Sequence, residues 1–528
     1  RGCDPREFAE ADLIAVWGSN PVHTQVNLMT HISRARKERG AKLIVIDPYR
    51  TPTARQADIH LQPRPGTDAA LACAVMHVLF RDGNADRDYM AEYTNDAEAL
   101  EAHLQTRGPA WAAEITGIDA GDIEAFARDY GTTDRALIRL GYGFSRSRNG
   151  AAGLHAVSCL PAVKGAWKHR GAGLYGSIGQ NFRLDTSMIR GVENPGVRAL
   201  DMSRLGPILN GDPVPLQDGP PVTAMFVQSS NPAVVAPESG LVRKGLMRDD
   251  MFLCVHEQFL TDTAQLADIV LPATTFLEHD DIYTSYGHPY LQLGPKILEP
   301  LGECRSNHDT LCALAGRIGA AHPAHAMTAW ELIDHTLQAS GHGTADELRA
   351  KRMIDVSPPF EERHFLNGFP QPDGRFRFRA DWAAYGPDHA KLPALPDFAD
   401  IIDETTAERP FRLVTAPSRN YLNSSFTETA TSVAREERPA VMLNPADCTE
   451  LGLAVGDRAR IGNERGNLVL HVEPFDGVRR GIAIVESIWP NSAFEEGIGI
   501  NLLTSADPGA PNGGAVFHDT AIWVRAAD

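Results

Sequence analysis

Leu13-Ile14-Ala15-Val16-Trp17-Gly18-Ser19-Asn20-Pro21 opens the stretch on which the fold reading turns. Five apolar residues run into a Gly-Ser-Asn-Pro loop, residues 22–39 follow with helical composition up to Gly40, and Leu43-Ile44-Val45-Ile46 ends at Asp47-Pro48. Strand, helix and strand, with Pro near the helix start and Gly past its end, make a βαβ unit. Such a unit sets the Gly18 to Pro21 loop at the carboxyl end of a parallel strand and the amino end of a helix, where unpartnered backbone N–H groups attract phosphate. Asp47 ends the next strand, where ribose or base hydroxyls and amines are read. A plain structural turn fits the same residues, and one copy does not separate the two readings.

A second copy exists. Thr223-Ala224-Met225-Phe226-Val227-Gln228 runs into Ser229-Ser230-Asn231-Pro232, and the next apolar run, Met251-Phe252-Leu253-Cys254-Val255, ends at His256-Glu257. Downstream, Thr53-Ala54-Arg55-Gln56-Ala57-Asp58-Ile59-His60-Leu61 returns as Thr263-Ala264-Gln265-Leu266-Ala267-Asp268-Ile269-Val270-Leu271, identical at six of nine positions. A repeat of this length and register reads as two related nucleotide-type domains, hence two nucleotides or one ligand spanning both. By contrast, Gly171-Ala172-Gly173-Leu174-Tyr175-Gly176 satisfies G-x-G-x-x-G but follows the stretch 164–170 instead of a strand, so the setting of a dinucleotide fingerprint is missing.

The rest of the chain is consistent with a large multidomain globular protein. Its 528 residues exceed one core. A formal charge of −18 argues against a nucleic-acid surface. No apolar run spans a bilayer and no signal-peptide order opens the chain, which starts on Asp4-Pro5-Arg6-Glu7 as though inside a domain. Seven cysteines, at 3, 73, 159, 254, 304, 312 and 448, are never spaced C-x-x-C and suit buried thiols of a reducing, cytoplasmic compartment better than a disulfide or metal framework.

Three segments in order, Trp17-Gly18-Ser19-Asn20-Pro21, Ile46-Asp47-Pro48-Tyr49-Arg50-Thr51 and Pro63-Arg64-Pro65-Gly66-Thr67-Asp68-Ala69-Ala70-Leu71, resemble the signature of molybdopterin oxidoreductases of the dimethyl sulfoxide reductase superfamily. So do Ala267-Asp268-Ile269-Val270-Leu271-Pro272-Ala273-Thr274 and Glu278-His279, and the resemblance covers nearly the whole chain. It implies a molybdenum or tungsten centre held by two molybdopterin guanine dinucleotides (bis-MGD), as in formate dehydrogenases, nitrate reductases and S- or N-oxide reductases.

Carried over by position, it sets the first dinucleotide on Trp17, Gly18, Ser19, Asn20, Pro21 and Thr24, on Asp47, Pro48, Tyr49, Arg50 and Thr51, and on Gly66, Thr67 and Asp68. Asp68 suits the donor edge of guanine, and also suits a helix N-cap before Ala69-Ala70-Leu71. Gly141, Tyr142, Gly143 and Phe144, after the strand Ala136-Leu137-Ile138-Arg139-Leu140, are expected close to the pterin. Arg146 and Arg148 just beyond are either donors to phosphate or an anionic substrate, or a solvated helix start. The second half contributes Asn231, His256, Glu257, His279 and Asn307. Glu278-His279-Asp280-Asp281 reads as a polar loop, since consecutive residues cannot all turn to one ion.

From Phe411 onward short strands alternate with Gly turns, including a hairpin at Glu464-Arg465-Gly466, and resemble the family's capping barrel. By that resemblance Thr415, Pro417, Ser418, Arg419, Asn420, Asn501 and His518 reach the two pterins. The expected fold class is therefore α/β: two related dinucleotide-binding α/β domains and a C-terminal β-barrel of double-psi type. The expected boundaries are 1–229 and 230–320 for the α/β domains (the second without its amino-terminal part), 321–407 for a connecting segment and 408–528 for the barrel.

Many relatives carry an amino-terminal [4Fe-4S] segment followed by the residue that ligates the metal. Cys3 lies too close to Trp17 to match that ligand, so the chain reads as lacking both. The metal ligand is accordingly expected upstream of Arg1, with none in this segment. The expected function is a redox enzyme acting on a small molecule, with a redox partner protein or subunit, no nucleic acid and no membrane span. The alternatives are a non-redox hydratase or transhydroxylase, or a structural subunit that kept the scaffold.

Overall fold

The computed structural model describes residues 2–190 and 196–527. Strands β1 (Leu13–Trp17), β2 (Lys42–Ile46), β3 (Ile59–Leu61), β4 (Ala136–Leu140) and β5 (Gly173–Tyr175) form a parallel sheet in the order β3-β2-β1-β4-β5. Both faces are covered, as a parallel sheet requires. Leu13, Ala15, Trp17, Ile44, Ile138 and Leu140 pack with helices Asp68–Arg81, Ala120–Thr132 and Gly150–Lys164. The alternate positions Ile14, Val16, Leu43, Val45 and Leu137 meet Leu28, Ile32 and Ala35 of helix Val26–Arg39. The strand order reverses between β1 and β4, which opens a crevice at their carboxyl ends.

The helix expected over 22–39 is two: Pro21–Thr24 and Val26–Arg39, parted by Gln25 at φ −154°. The break frees the Gln25 side chain, which donates to Tyr175 Oη at 2.8 Å and accepts from Arg139 Nε at 3.0 Å. Gly40 closes the second helix in the left-handed conformation, φ 69°. Gly173 to Tyr175, inside the G-x-G-x-x-G stretch, is the edge strand of the first sheet.

The second unit has a parallel sheet β6-β7-β8, from Ala224–Gln228, Phe252–Glu257 and Ile269–Pro272. Because β6 pairs with β7, the expected boundary between 229 and 230 cuts through this unit, which includes the strand before its Ser-Asn loop. The segment expected merely to connect is built into both α/β units. Met353–Asp355 pairs antiparallel with Tyr290–Gly294, Phe376–Arg377 pairs with Thr94–Asn95, and Phe365, Phe369 and Phe378 enter the cores of the first unit.

At the carboxyl end, six strands (Phe411–Ala416, Ala440–Leu443, Arg458–Asn463, Gly466–Pro474, Ile482–Glu486 and Thr520–Ala526) close into a barrel of mixed parallel and antiparallel pairs. The hairpin turn is Glu464-Arg465, as the sequence indicated. Tyr49, after β2, is buried with Val414, Ala416, Val478, Ile482 and Ile484, which fastens the barrel onto the first sheet's carboxyl edge.

Candidate functional site

The carboxyl ends of β1, β2 and β4, the loop 63–68 and the barrel segments 414–418, 487–488 and 517–518 enclose a cavity of about 300 Å³. Eighteen of the residues expected from the resemblance to contact the cofactor line it: Gly18, Ser19, Asn20, Thr24, Asp47, Pro48, Tyr49, Thr51, Gly66, Asp68, Tyr142, Gly143, Phe144, Thr415, Pro417, Ser418, Asn501 and His518. Close approach of backbone shapes its floor. Gly141 N–H donates to Trp17 O at 2.8 Å, and a Cβ on Gly141 would lie 1.8 Å from Gly18 O, so only glycine lets the two loops meet.

The other first-half expectations act from behind the wall. Trp17 is fully buried and its indole N–H donates to Asp68 Oδ1 at 2.7 Å. Pro21 starts the short helix after the loop, Thr67 hydroxyl donates to Arg64 O at 2.6 Å, and Arg50 pairs with Asp476 on the surface. Arg419 donates to Val22 O at 3.0 Å, and Asn420 donates to Glu436 Oε1.

Asp68 is the first residue of its helix, with Thr67 at the N-cap position, so the capping alternative does not describe it. Its carboxyl is pushed up to about 6 by burial, against the pull of the Trp17 N–H. Burial also raises Asp47 well above the usual carboxylate range, with Asp68 and Glu486 adding like charge. Elsewhere on the wall Arg139 and Arg146 face the cavity. His518, beside Arg146, is pushed down to about 4 by burial and by that guanidinium, and is therefore neutral at ordinary pH.

In the second unit the Ser-Asn-Pro loop is pinned in the same way as in the first. Asn20 Oδ1 accepts from Thr53 N (3.3 Å) and Oγ1 (2.7 Å), and Asn231 Oδ1 accepts from Thr263 N (3.1 Å) and Oγ1 (2.7 Å). Thr53 Oγ1 takes Val22 N–H at 3.1 Å and Thr263 Oγ1 takes Ala233 N–H at 3.0 Å. Asp58 and Asp268 each accept from a strand N–H, of Leu43 and Leu253, both at 2.7 Å.

The remaining second-half residues do not gather as expected. His256 is fully buried, with one ring nitrogen beside Gln228 Nε2 (3.3 Å) and the other beside Arg305 O (3.2 Å), so it braces the unit's interior instead of facing a ligand. His279 hydrogen-bonds Thr274 Oγ1, and Glu278 accepts from Thr275 N and Leu301 N, which makes that loop a self-bonded turn. Exposed Asn307 donates to Ser229 Oγ at 3.4 Å, and Glu257, half-buried at the end of its strand, has its carboxyl raised by burial.

Among the wall residues not singled out from sequence are Arg139 and Ser487. Arg139 is the one charge in an apolar strand, a signal the sequence does carry; it donates to Gln25 Oε1 and Gly176 O. Ser487, at φ 79°, follows a barrel strand with no local signature. Arg148, grouped with Arg146 from sequence, is spent on Asp519 and Asp507.

Arg1 lies outside the described residues, and so does the metal-ligand position expected upstream of it. Among the described residues, Cys3, Glu7 and His364 bring ligand-type atoms within 4.8 Å of one another. Each is engaged: the thiol with Ala172 O, the carboxylate with His364 and Arg363, the imidazole also with Trp167 O.

The wall is prepared for a polar ligand. Asn20 Nδ2, Ser418 Oγ and Ser487 Oγ are buried without a protein partner, a costly arrangement that a bound group relieves. With donors on these loops, acceptors at Asp47 and Asp68 and a glycine floor, the residues present fit a molybdopterin dinucleotide.

Comparison with known proteins agrees. Residues 2–317 match the family model described as molybdopterin oxidoreductase, and residues 411–521 match the molydopterin dinucleotide binding domain. The chain is 33% identical to the probable oxidoreductase YoaE of Bacillus subtilis over 99% of its own length and 76% of that protein. It is 26% identical to the F420-dependent formate dehydrogenase subunit alpha of Methanocaldococcus jannaschii over 90% of its length and 71% of that protein. Acetylene hydratase from Pelobacter acetylenicus shares the fold, with a TM-score of 0.81 at 21% identity over 98% of this chain and 78% of that one. The chain belongs to the molybdopterin oxidoreductase family of the dimethyl sulfoxide reductase superfamily, and it is a molybdopterin-dependent oxidoreductase.

Proposed function

We propose that the chain holds two molybdopterin guanine dinucleotides with molybdenum or tungsten and acts on a small substrate of the formate, nitrate or S-/N-oxide class, passing electrons through a [4Fe-4S] cluster to a partner subunit. The observation that carries the reading is the pair of Ser-Asn-Pro loops, each fixed by the same hydrogen bonds from a threonine to the asparagine Oδ1 at the carboxyl end of a parallel strand. Formate dehydrogenase and dimethyl sulfoxide reductase relatives support the substrate class.

When bound, the metal-pterin group supplies two-electron redox chemistry. The chain's own part is to bind and orient. Asp68, held by Trp17, offers its carboxylate to the guanine N–H edge, and Asp47 offers a second acceptor. Asn20 and the loop around it present donors to phosphate, and Ser418, Ser487 and Asn501 close the barrel side. His518 keeps a fixed, neutral contact between Thr415 O and the 143 loop, so it moves no proton near neutral pH.

The test is compositional. Acid hydrolysis of the purified loaded protein is expected to release two GMP per metal ion, and the protein is expected to turn over one member of the named substrate class. One GMP per metal, or none, sinks the two-dinucleotide reading.

A further inference from the structure

Asn181 is only 3% exposed, yet among the described residues its side-chain amide makes no hydrogen bond, and its buried Oδ1 is left without a partner. The surrounding backbone holds it there. Ile178 O takes the Asn181 N–H at 2.8 Å, and the next residue, Phe182, is packed into a core with Leu291, Ile333 and Leu337. A buried amide oxygen with no donor is costly to the fold, and a ligand that brings an N–H relieves the cost.

Asn181 lines a cleft of about 570 Å³ that shares no lining residue with the cofactor cavity. One wall is the stretch 340–343, where Gly341 and Gly343 run at φ 73° and 86°. A Cβ on Gly341 would meet nothing within 4 Å, so the wall is open at that point. His342 Nε2 lies 2.7 Å from Phe182 O. A carbonyl only accepts, so Nε2 carries the proton and the neutral ring offers Nδ1 as a second acceptor. The facing wall includes Val356, Pro358 and Pro359, which give apolar surface, and neither proline has an N–H to donate.

The acids and the guanidinium of the cleft are already engaged. Arg183 pairs with Glu362, Asp355 with Arg6, and Glu347 accepts the N–H of Thr344. What is left is neutral: an amide with one edge to donate and one to accept, a ring nitrogen that accepts, and an apolar wall. A second amide meets the first edge to edge, donor to acceptor on both sides.

We infer that this cleft binds a small neutral molecule through a primary carboxamide, its N–H given to Asn181 Oδ1 and its C=O taking Asn181 Nδ2 while its apolar part lies against Val356 and the two prolines. The site goes beyond the functional reading above and does not depend on it.

The experiment uses the protein purified with its cofactor, as wild type and Asn181→Leu, with benzamide as the probe and saturation-transfer NMR titration as the readout. Acetophenone, which keeps the carbonyl and loses the N–H, and benzoate, which has no donor, are the comparison ligands. Benzamide is expected to bind wild type, and both comparison ligands and the leucine variant are expected to show binding weaker by about tenfold or more, the scale of a lost hydrogen bond to a buried group. Because the Asn181 amide bonds to nothing in the protein, Asn181→Leu is also expected to melt no lower than wild type by circular dichroism. Benzamide that fails to bind wild type, or binds the leucine variant or competes with acetophenone on equal terms, overturns the assignment. A leucine variant that melts lower or does not fold overturns it too, since the amide would then be a structural group.

Discussion

At the scale of single residues, Asp68 shows how a binding group differs from a stabilising one. Its carboxyl is raised to about 6 from 3.8 by burial, so the folded chain holds this proton more tightly than the unfolded chain does. The sign follows from linkage: the burden on stability is absent below about pH 4, grows as pH rises between the two values and is fully present above about 6. Asp68→Asn keeps an oxygen for Trp17 but turns a donor toward guanine. In the cofactor-free protein it is expected to melt no lower at pH 7, and higher by at most about 3 kcal/mol of stability, with no change at pH 4. In the loaded protein, pterin retention is expected to fall at least tenfold. A variant that keeps its cofactor and melts lower at pH 7 would make Asp68 a structural residue. The sequence showed that Asp68 matters but not how, because its partner Trp17 lies on another strand, and only the packed sheet brings the indole N–H to 2.7 Å.

At the scale of elements, the six-of-nine identity between the two repeated segments has a physical cause. Three of the identical residues do the same work in both units: Thr53 and Thr263 fix the loop asparagine, and Asp58 and Asp268 cap a strand N–H, while Ala54 and Ala264 pack beneath. Thr53→Val and Thr263→Val each remove a hydroxyl that donates to the asparagine and accepts from a helix-start N–H. Each is expected to cost about 1–3 kcal/mol in denaturant unfolding, because a backbone donor is left unpaired, and serine at either position should restore most of it. Equal stability of both valine variants and wild type would mean that the shared pin is incidental. The repeat was legible because this work needs particular short polar residues at fixed offsets from a loop. His256 misled for the opposite reason: its strand position matches Asp47, but its burial, decided by Thr310 and Arg305 far along the chain, turns it inward. Arg139 carried a local signal as the one charge in an apolar strand, whereas Ser487 belongs to the cavity through barrel closure, which no local pattern encodes.

At the scale of the whole molecule, the cavity exists only because the barrel is held against the first α/β unit, and Asp519 is central to that seam. It is almost fully buried, and its carboxylate takes Arg412 Nη1 of the barrel at 2.5 Å, Arg148 of the first unit through both backbone N–H and guanidinium at 3.0 Å, and the N–H of Asp403 at 2.7 Å. Two guanidiniums converge on one carboxylate, and one of them comes from each side of the seam. Asp519→Asn leaves both facing an uncharged amide, and breaking a buried pair in this way costs about 3–5 kcal/mol. Asp507, the other partner of Arg148, has a side chain 67% exposed, and Asp507→Asn is expected to change stability by less than about 1 kcal/mol. The seam reading further requires that Asp519→Asn release cofactor faster than wild type at temperatures where circular dichroism shows both still folded, since the barrel loosens before it unfolds. If Asp519→Asn lowers the melting temperature but leaves the release rate unchanged while both proteins are folded, the pair stabilises the barrel alone, and the cavity is closed instead by the apolar contacts around Tyr49.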